Sequence, residues 1–200
     1  MKDLIRELRI SLIATLSLAI ILCAIYPLII WVFAQGLFPA RANGSLLVRD
    51  GKVVGSRLIG QGFTDPKYFH PRPSAAGQGY DGAGSGGSNL GPTSKKLVDQ
   101  VRQRVIEYRT ENNLAPDATV SADAVTASAS GLDPHISVKN ALLQARRVAK
   151  ARDMSVEVVL RKIEDHTEGR TLGILGEPRV NVLMLTLDLS TAPSGRLSSR

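Results

Sequence analysis

No charged side chain occurs between Arg9 and Arg41, and no other stretch of the 200-residue chain resembles that run. Within residues 10–34, fourteen of 25 residues are Ile, Leu, Val or Phe. At about 0.3–0.6 kcal/mol each near a bilayer centre, they contribute roughly 4–8 kcal/mol toward insertion. Ser11, Thr15, Ser17 and Pro27 offset part of that. As a helix the segment rises about 37 Å, enough to cross a hydrocarbon core of about 30 Å with some tilt. A cleaved signal peptide is the competing reading, since Val32-Phe33-Ala34 has small residues near a cleavage position. Its apolar region would span only about 7–15 residues, so the run reads as an uncleaved anchor over 10–34 behind a tail over 1–9. Cys23 follows Leu22, a poor match to a lipoprotein acylation site. A lone span without Asp, Glu, Lys, Arg or His offers no ion or proton path by itself.

Flanking charge leaves the orientation tied, with Lys2, Arg6 and Arg9 before the run and Arg41, Arg49 and Lys52 after it. The higher density in the tail favours a cytoplasmic N-terminus and a domain outside, in the cell inner membrane. Trp31 and Phe33 suit an interfacial belt, and Pro27 predicts a kink. The remaining residues suit one modest domain over 41–190, with a disordered tail over 191–200. Net charge is +7, but aromatic residues make up only 4% and no basic-aromatic interleaving occurs, which argues against nucleic acid. The only cysteine lies in the span, so no disulfide braces the domain.

In the domain, Asp50-Gly51 between apolar runs predicts a hairpin, with Leu58–Gln61 extending its second strand. Tyr68–Ser74 reads as irregular and packed. The spacing of Leu97, Val98, Val101, Val105 and Tyr108 predicts a helix over 93–112. A short helix is expected near Ala122–Val125. Asp133-Pro134 reads as the N-cap of a helix to Arg152 that buries Ala141, Leu142, Ala145, Val148 and Ala149. Arg146, Arg147, Lys150 and Arg152 fall mostly on its solvent side. Ser155 caps a further helix with Val156, Val159, Leu160 and Ile163 inward. The nearly continuous apolar run Val180–Leu189 reads as a strand buried on both faces. Strands at both ends with helices between give an α+β (or α/β) fold: one N-terminal transmembrane helix and a single small mixed domain.

No catalytic or metal constellation stands out. Residues 82–87 match G-x-G-x-x-G, yet no strand precedes them, and Ser88 stands where a phosphate-binding loop needs lysine. His70, His135 and His166 lack metal-ligand spacing. Glu164-Asp165-His166 reads as a solvated helix end. Asp133, His135 and a nearby serine could make a membrane-anchored hydrolase, though no nucleophile elbow is present. An external ligand-binding sensor is the third alternative.

Several segments together resemble the C subunits of the Kdp-type potassium-transporting P-type ATPase. They are Gly55–Gln61, Tyr68–Ala75, Ser85–Gly91, Thr126–Ser137, Gln144 with Arg147–Ala149 and Ala151-Arg152, and Gly176–Asn181. One departure is Thr186, where related chains tend to carry asparagine. The resemblance implies a non-catalytic accessory subunit in high-affinity, ATP-driven potassium uptake. Its implied partners are a channel-like potassium-binding subunit, an ATP-hydrolysing pump subunit and a small membrane peptide. It also implies a role in assembly and in raising the pump subunit's affinity for ATP, as a catalytic chaperone. The Asp-Lys-Thr-Gly-Thr phosphorylation sequence of such pumps is missing here. No covalently bound cofactor is expected. Direct ATP contact conflicts with a domain outside, because the bilayer would separate the two, leaving allosteric coupling. The expected partner-contact loops contain Ser85, Gly86, Gly87, Ser88 and Asn89, and Asp133 with His135.

Overall fold

Pro27 has no N–H to donate, and its ring collides with the carbonyl four residues back, so a regular helix cannot pass through it unchanged. In the computed structural model, which describes residues 2–191, the apolar run meets this with a π-turn. Helix α1 (Lys2–Ile20) widens through Ile21–Ile25 into α2 (Tyr26–Leu37), and Tyr26 N donates to Ile21 O. Together they form a 36-residue apolar helix with no part of its apolar window buried, long enough to cross a membrane. The tail from Lys2 onward is therefore the helix's first turns rather than a separate segment. Phe38 leaves helical geometry (φ −138°), and the single turn α3 (Pro39–Ala42) follows. The side-chain amides of Gln35 and Asn43 bond reciprocally at 3.2 and 3.1 Å across that break. The chain divides into two compact units, Met1–Leu46 and Leu47–Arg200.

The second unit begins with the expected hairpin. Strands β1 (Leu46–Arg49) and β2 (Lys52–Ser56) are joined through Asp50 and Gly51, both with positive φ as a tight hairpin turn requires. Extension to Gln61 does not occur, because Leu58 N bonds the Ser56 hydroxyl and Ile59 N the Ser56 carbonyl, turning the chain. Helix α4 (Lys95–Glu111) starts where the Ser94 hydroxyl accepts from Leu97 N. Next come α5 (Ala122–Val125), β3 (His135–Ser137), α6 (Val138–Ala151), α7 (Val156–Asp165), β4 (Thr167–Glu168), β5 (Arg179–Asn181) and α8 (Val182–Thr191). The sheet order is β3-β5-β4, antiparallel throughout, with Ile136 and Thr167 each opposite Val180. The fold is thus α+β, since no parallel crossover forms among the described residues.

Three local readings are corrected. Asp133-Pro134 does not cap α6, because residues 135–137 are held in the sheet. Ser137 takes the cap instead, its hydroxyl accepting from Asn140 N. Val180–Leu189 is not one strand: after Asn181 the chain becomes helical, and the Asn181 side-chain oxygen accepts from Met184 N. Its buried residues Val182, Leu185, Thr186 and Leu189 follow helical spacing. Thr191 belongs to α8, while the rest of the expected tail lies outside the described residues.

The core gathers Phe69, Ile136, Val148, Val159, Ile163, Val180, Leu185 and Leu189. Ala141, Ala145 and Ala149 form a small-residue stripe on α6. Leu142 and Leu160 were expected inside but remain 48% and 37% exposed. Arg147 was expected in solvent, yet only 8% of its side chain is exposed.

Candidate functional site

The two expected contact loops fold against each other. Gly86 N donates to Ser130 O at 2.9 Å, and the Ser85 hydroxyl donates to the same carbonyl at 3.0 Å. A Cβ on Gly87 would lie 2.9 Å from Ala129 O, so only glycine allows that approach. Gly131 has φ +67°, and a Cβ there would meet Ala76 and Gly86 O at 2.7 Å. The Ser74 hydroxyl donates to Gly131 O and accepts from Ala76 N and Tyr80 N. Ser88 and Asn89 lie at the exposed end of this surface, Asn89 with left-handed backbone (φ 51°). The polar groups of the glycine loop thus hold the loop pair together.

Asp133 and His135 lie in a neighbouring cleft of about 290 Å³ lined by Arg72, Asp123, Ser137 and Arg179. Asp133 accepts from His135 N at 3.0 Å and Arg72 Nη1 at 3.1 Å. Burial works to raise its carboxyl, but hydrogen bonds from His135 and the Arg72 charge outweigh this and hold it below the usual range. The His135 ring lies between carboxylates, 3.5 Å from Asp133 Oδ1 and 3.8 Å from Glu168 Oε2. A nucleophilic triad needs a hydroxyl within about 3.2 Å of the base. The serines beside the cleft, Ser121 and Ser137, are committed to Asp123 instead. Among the described residues, no three His, Cys, Asp or Glu side chains form a group that could hold a metal ion.

Asp123 opens a polar network that the sequence did not reveal. It accepts from Ser137 N (2.7 Å), Ser137 Oγ (2.8 Å) and Asn140 Nδ2 (3.0 Å). Burial opposes its charge, yet these bonds and one from Ser121 keep its carboxyl below the usual range. Asn140 Oδ1 accepts from Tyr108 OH and Gln144 Nε2. Gln144 closes a two-bond ring with the His70 backbone, donating to its carbonyl and accepting from its N–H. Arg147 then bonds Gln144, Asn112 and the carbonyls of Pro66 and Tyr68. Burial pushes the Tyr108 hydroxyl well above its normal range. The signal that could have found this network is Asn140 and Gln144 four residues apart on the alanine face of α6.

A family model described as "KdpC: K+-transporting ATPase, c chain" matches residues 8–191. The chain belongs to the KdpC family. Relatives named potassium-transporting ATPase KdpC subunit include one from Mycobacterium tuberculosis (strain ATCC 25618 / H37Rv), 57% identical over 184 residues, covering 92% of this chain and 97% of the relative. One from Nitratidesulfovibrio vulgaris is 52% identical over 199 residues, with 98% of both chains covered. One from Myxococcus xanthus is 59% identical over 169 residues, covering 82% of this chain and 78% of the relative. The segments that carried the KdpC resemblance are one another's hydrogen-bond partners. Arg72 reaches Asp133, Gln144 reaches His70, and Asn181 Nδ2 donates to Arg57 O at 2.8 Å. In this chain, side chains from those segments thus brace one another's irregular backbone.

Proposed function

We propose that this chain is a non-catalytic accessory subunit of a potassium-transporting ATPase, acting in its assembly. Lys2–Leu37 docks in the membrane against the transport subunits, and the domain braces them from outside. The partners are the channel-like potassium-binding subunit, the ATP-hydrolysing subunit and the small membrane peptide. The observation that carries this reading is the loop pair at Ser85–Asn89 and Ala129–Ser137. Its hydroxyls and amides hold the backbone in place instead of converging on a reacting atom. That arrangement suits a rigid protein contact. With the domain outside, any rise in the ATP affinity of the hydrolysing subunit is allosteric, transmitted through shared contacts.

Deletion tests the role: without this chain, assembly and potassium-dependent ATPase activity fall, and unchanged values of both overturn the reading. A Ser88→Cys variant with Cys23 replaced tests the orientation, using an impermeant thiol reagent on intact cells. Labelling supports an outside domain. Protection lost only on lysis favours a cytoplasmic loop within reach of ATP.

A further inference from the structure

The connection between β4 and β5 combines left-handed backbone with highly exposed apolar side chains. Its tip is a tight turn, Thr171-Leu172-Gly173-Ile174, closed by Ile174 N donating to Thr171 O at 3.3 Å. Leu175 N and Thr171 N each bond the other's carbonyl, at 3.0 and 2.9 Å. Leu172 and Gly173 both have positive φ, +55° and +77°. Asparagine or glycine belongs at the first of those positions, since a branched side chain is strained there. Leu172 is nonetheless 85% exposed and Ile174 75%, above every other large apolar side chain among the described residues, the long apolar helix included. Leu175 adds 57%. Below the tip, Arg170 Nη2 bonds both Glu177 carboxylate oxygens at 2.8 Å, fixing the neck.

Neither folding nor solubility accounts for a leucine at a strained turn position beside an isoleucine that is 75% exposed. Resting on the subunit reading above, we propose that Leu172, Ile174 and Leu175 form a plug that inserts into an apolar pocket on another subunit of the ATPase. The chemistry of the tip separates this occupant from a lipid surface. Segments that settle on bilayers combine aromatic residues with unpaired cations. This tip contains no aromatic residue, Arg170 is neutralised by Glu177, and Arg179 is paired with Glu168. A neutral rim around aliphatic side chains matches a protein pocket, where a few buried anchors dominate affinity.

The test uses the tagged full chain co-expressed with the other ATPase subunits and captured in detergent. For Leu172→Ser with Ile174→Ser, retained partner subunits fall at least about fivefold, as expected when a well-packed anchor is truncated. The melting temperature of the purified chain stays within about 1 °C, because both side chains lie mostly in solvent. Leu172→Gly relieves the backbone strain, so it raises the melting temperature while lowering retention. Full retention by either variant overturns the plug. Loss of binding only in lipid nanodiscs, with normal retention in detergent, also overturns it and assigns the tip to lipid. Failure of the unaltered chain to retain any partner overturns the subunit reading itself.

Discussion

Two apolar runs bracket this chain and meet opposite fates. In Ile10–Ala34 no side chain is buried, whereas in Val180–Leu189 every residue but three is buried. The short run admits Asn181, Thr186 and one charge, Asp188, but that difference does not decide their fates. Length does: ten residues of helix can be enclosed by one small domain, whereas 36 residues outrun any face a domain of this size offers. From Val182 the short run is helical because Asn181 supplies a cap and the neighbouring elements supply a core. The long one leaves its entire surface for something that is not part of the fold. Stability should therefore respond to changes in one run and ignore the same changes in the other.

The largest contrast comes from truncating leucine in each. Leu185→Ala should destabilise the domain by about 2–5 kcal/mol, because a fully buried side chain leaves a cavity. Leu18→Ala should shift the same detergent-solubilised melt by less than about 0.5 kcal/mol. Equal effects would break the comparison.

Next in size is the acid response. Asp123, Asp133, Glu111 and Glu168 all titrate below their ordinary values in the folded domain. A carboxylate more acidic when folded contributes stability that is complete above its unfolded value. That contribution is lost as pH falls through the folded value. Domain stability should thus be flat near neutrality and fall below about pH 4. Asp123→Asn should lower stability by about 1–3 kcal/mol at pH 7, because it weakens the bonds to Ser121, Ser137 and Asn140. It should also shallow the acid decline, as read from urea midpoints across pH. The long helix, with its charges only at the N-terminal end, should keep its circular dichroism through the same range.

The smallest effect sharpens the picture within the short run. The Thr186 hydroxyl is buried without a hydrogen-bond partner among the described residues. Thr186→Val should raise stability by about 1 kcal/mol, measured as a higher urea midpoint at constant slope.

Local signals were legible wherever the partner lies a few residues away. Asp50-Gly51 marks its hairpin, Ser155 its helix, and the alanines of α6 the packed face. What stayed hidden depends on distant residues. Asp133 looks like a cap until Arg72, 61 positions earlier, claims it. Arg147 looks solvated until backbone carbonyls 79 and 81 positions away fold over it. Val180–Leu189 was ambiguous in kind, since a short apolar run satisfies strand and helix equally. The glycines of residues 82–87 are conspicuous in sequence, but their packing against Ala129–Gly131 depends on residues more than 40 positions away. The Leu172 tip was passed over, though a leucine before glycine at a tight turn is itself a signal.

The π-turn at Ile21–Ile25 has a geometric consequence for the long helix. It adds one residue to the winding, and each residue of an α-helix turns about 100°. Every side chain after Tyr26 is therefore rotated by about that angle from where an unbroken helix would place it. One span thus carries two contact stripes that do not line up, the first ending near Ile20 and the second beginning near Tyr26. A neighbour that follows the first stripe along the membrane loses it halfway, and the second stripe faces a different direction.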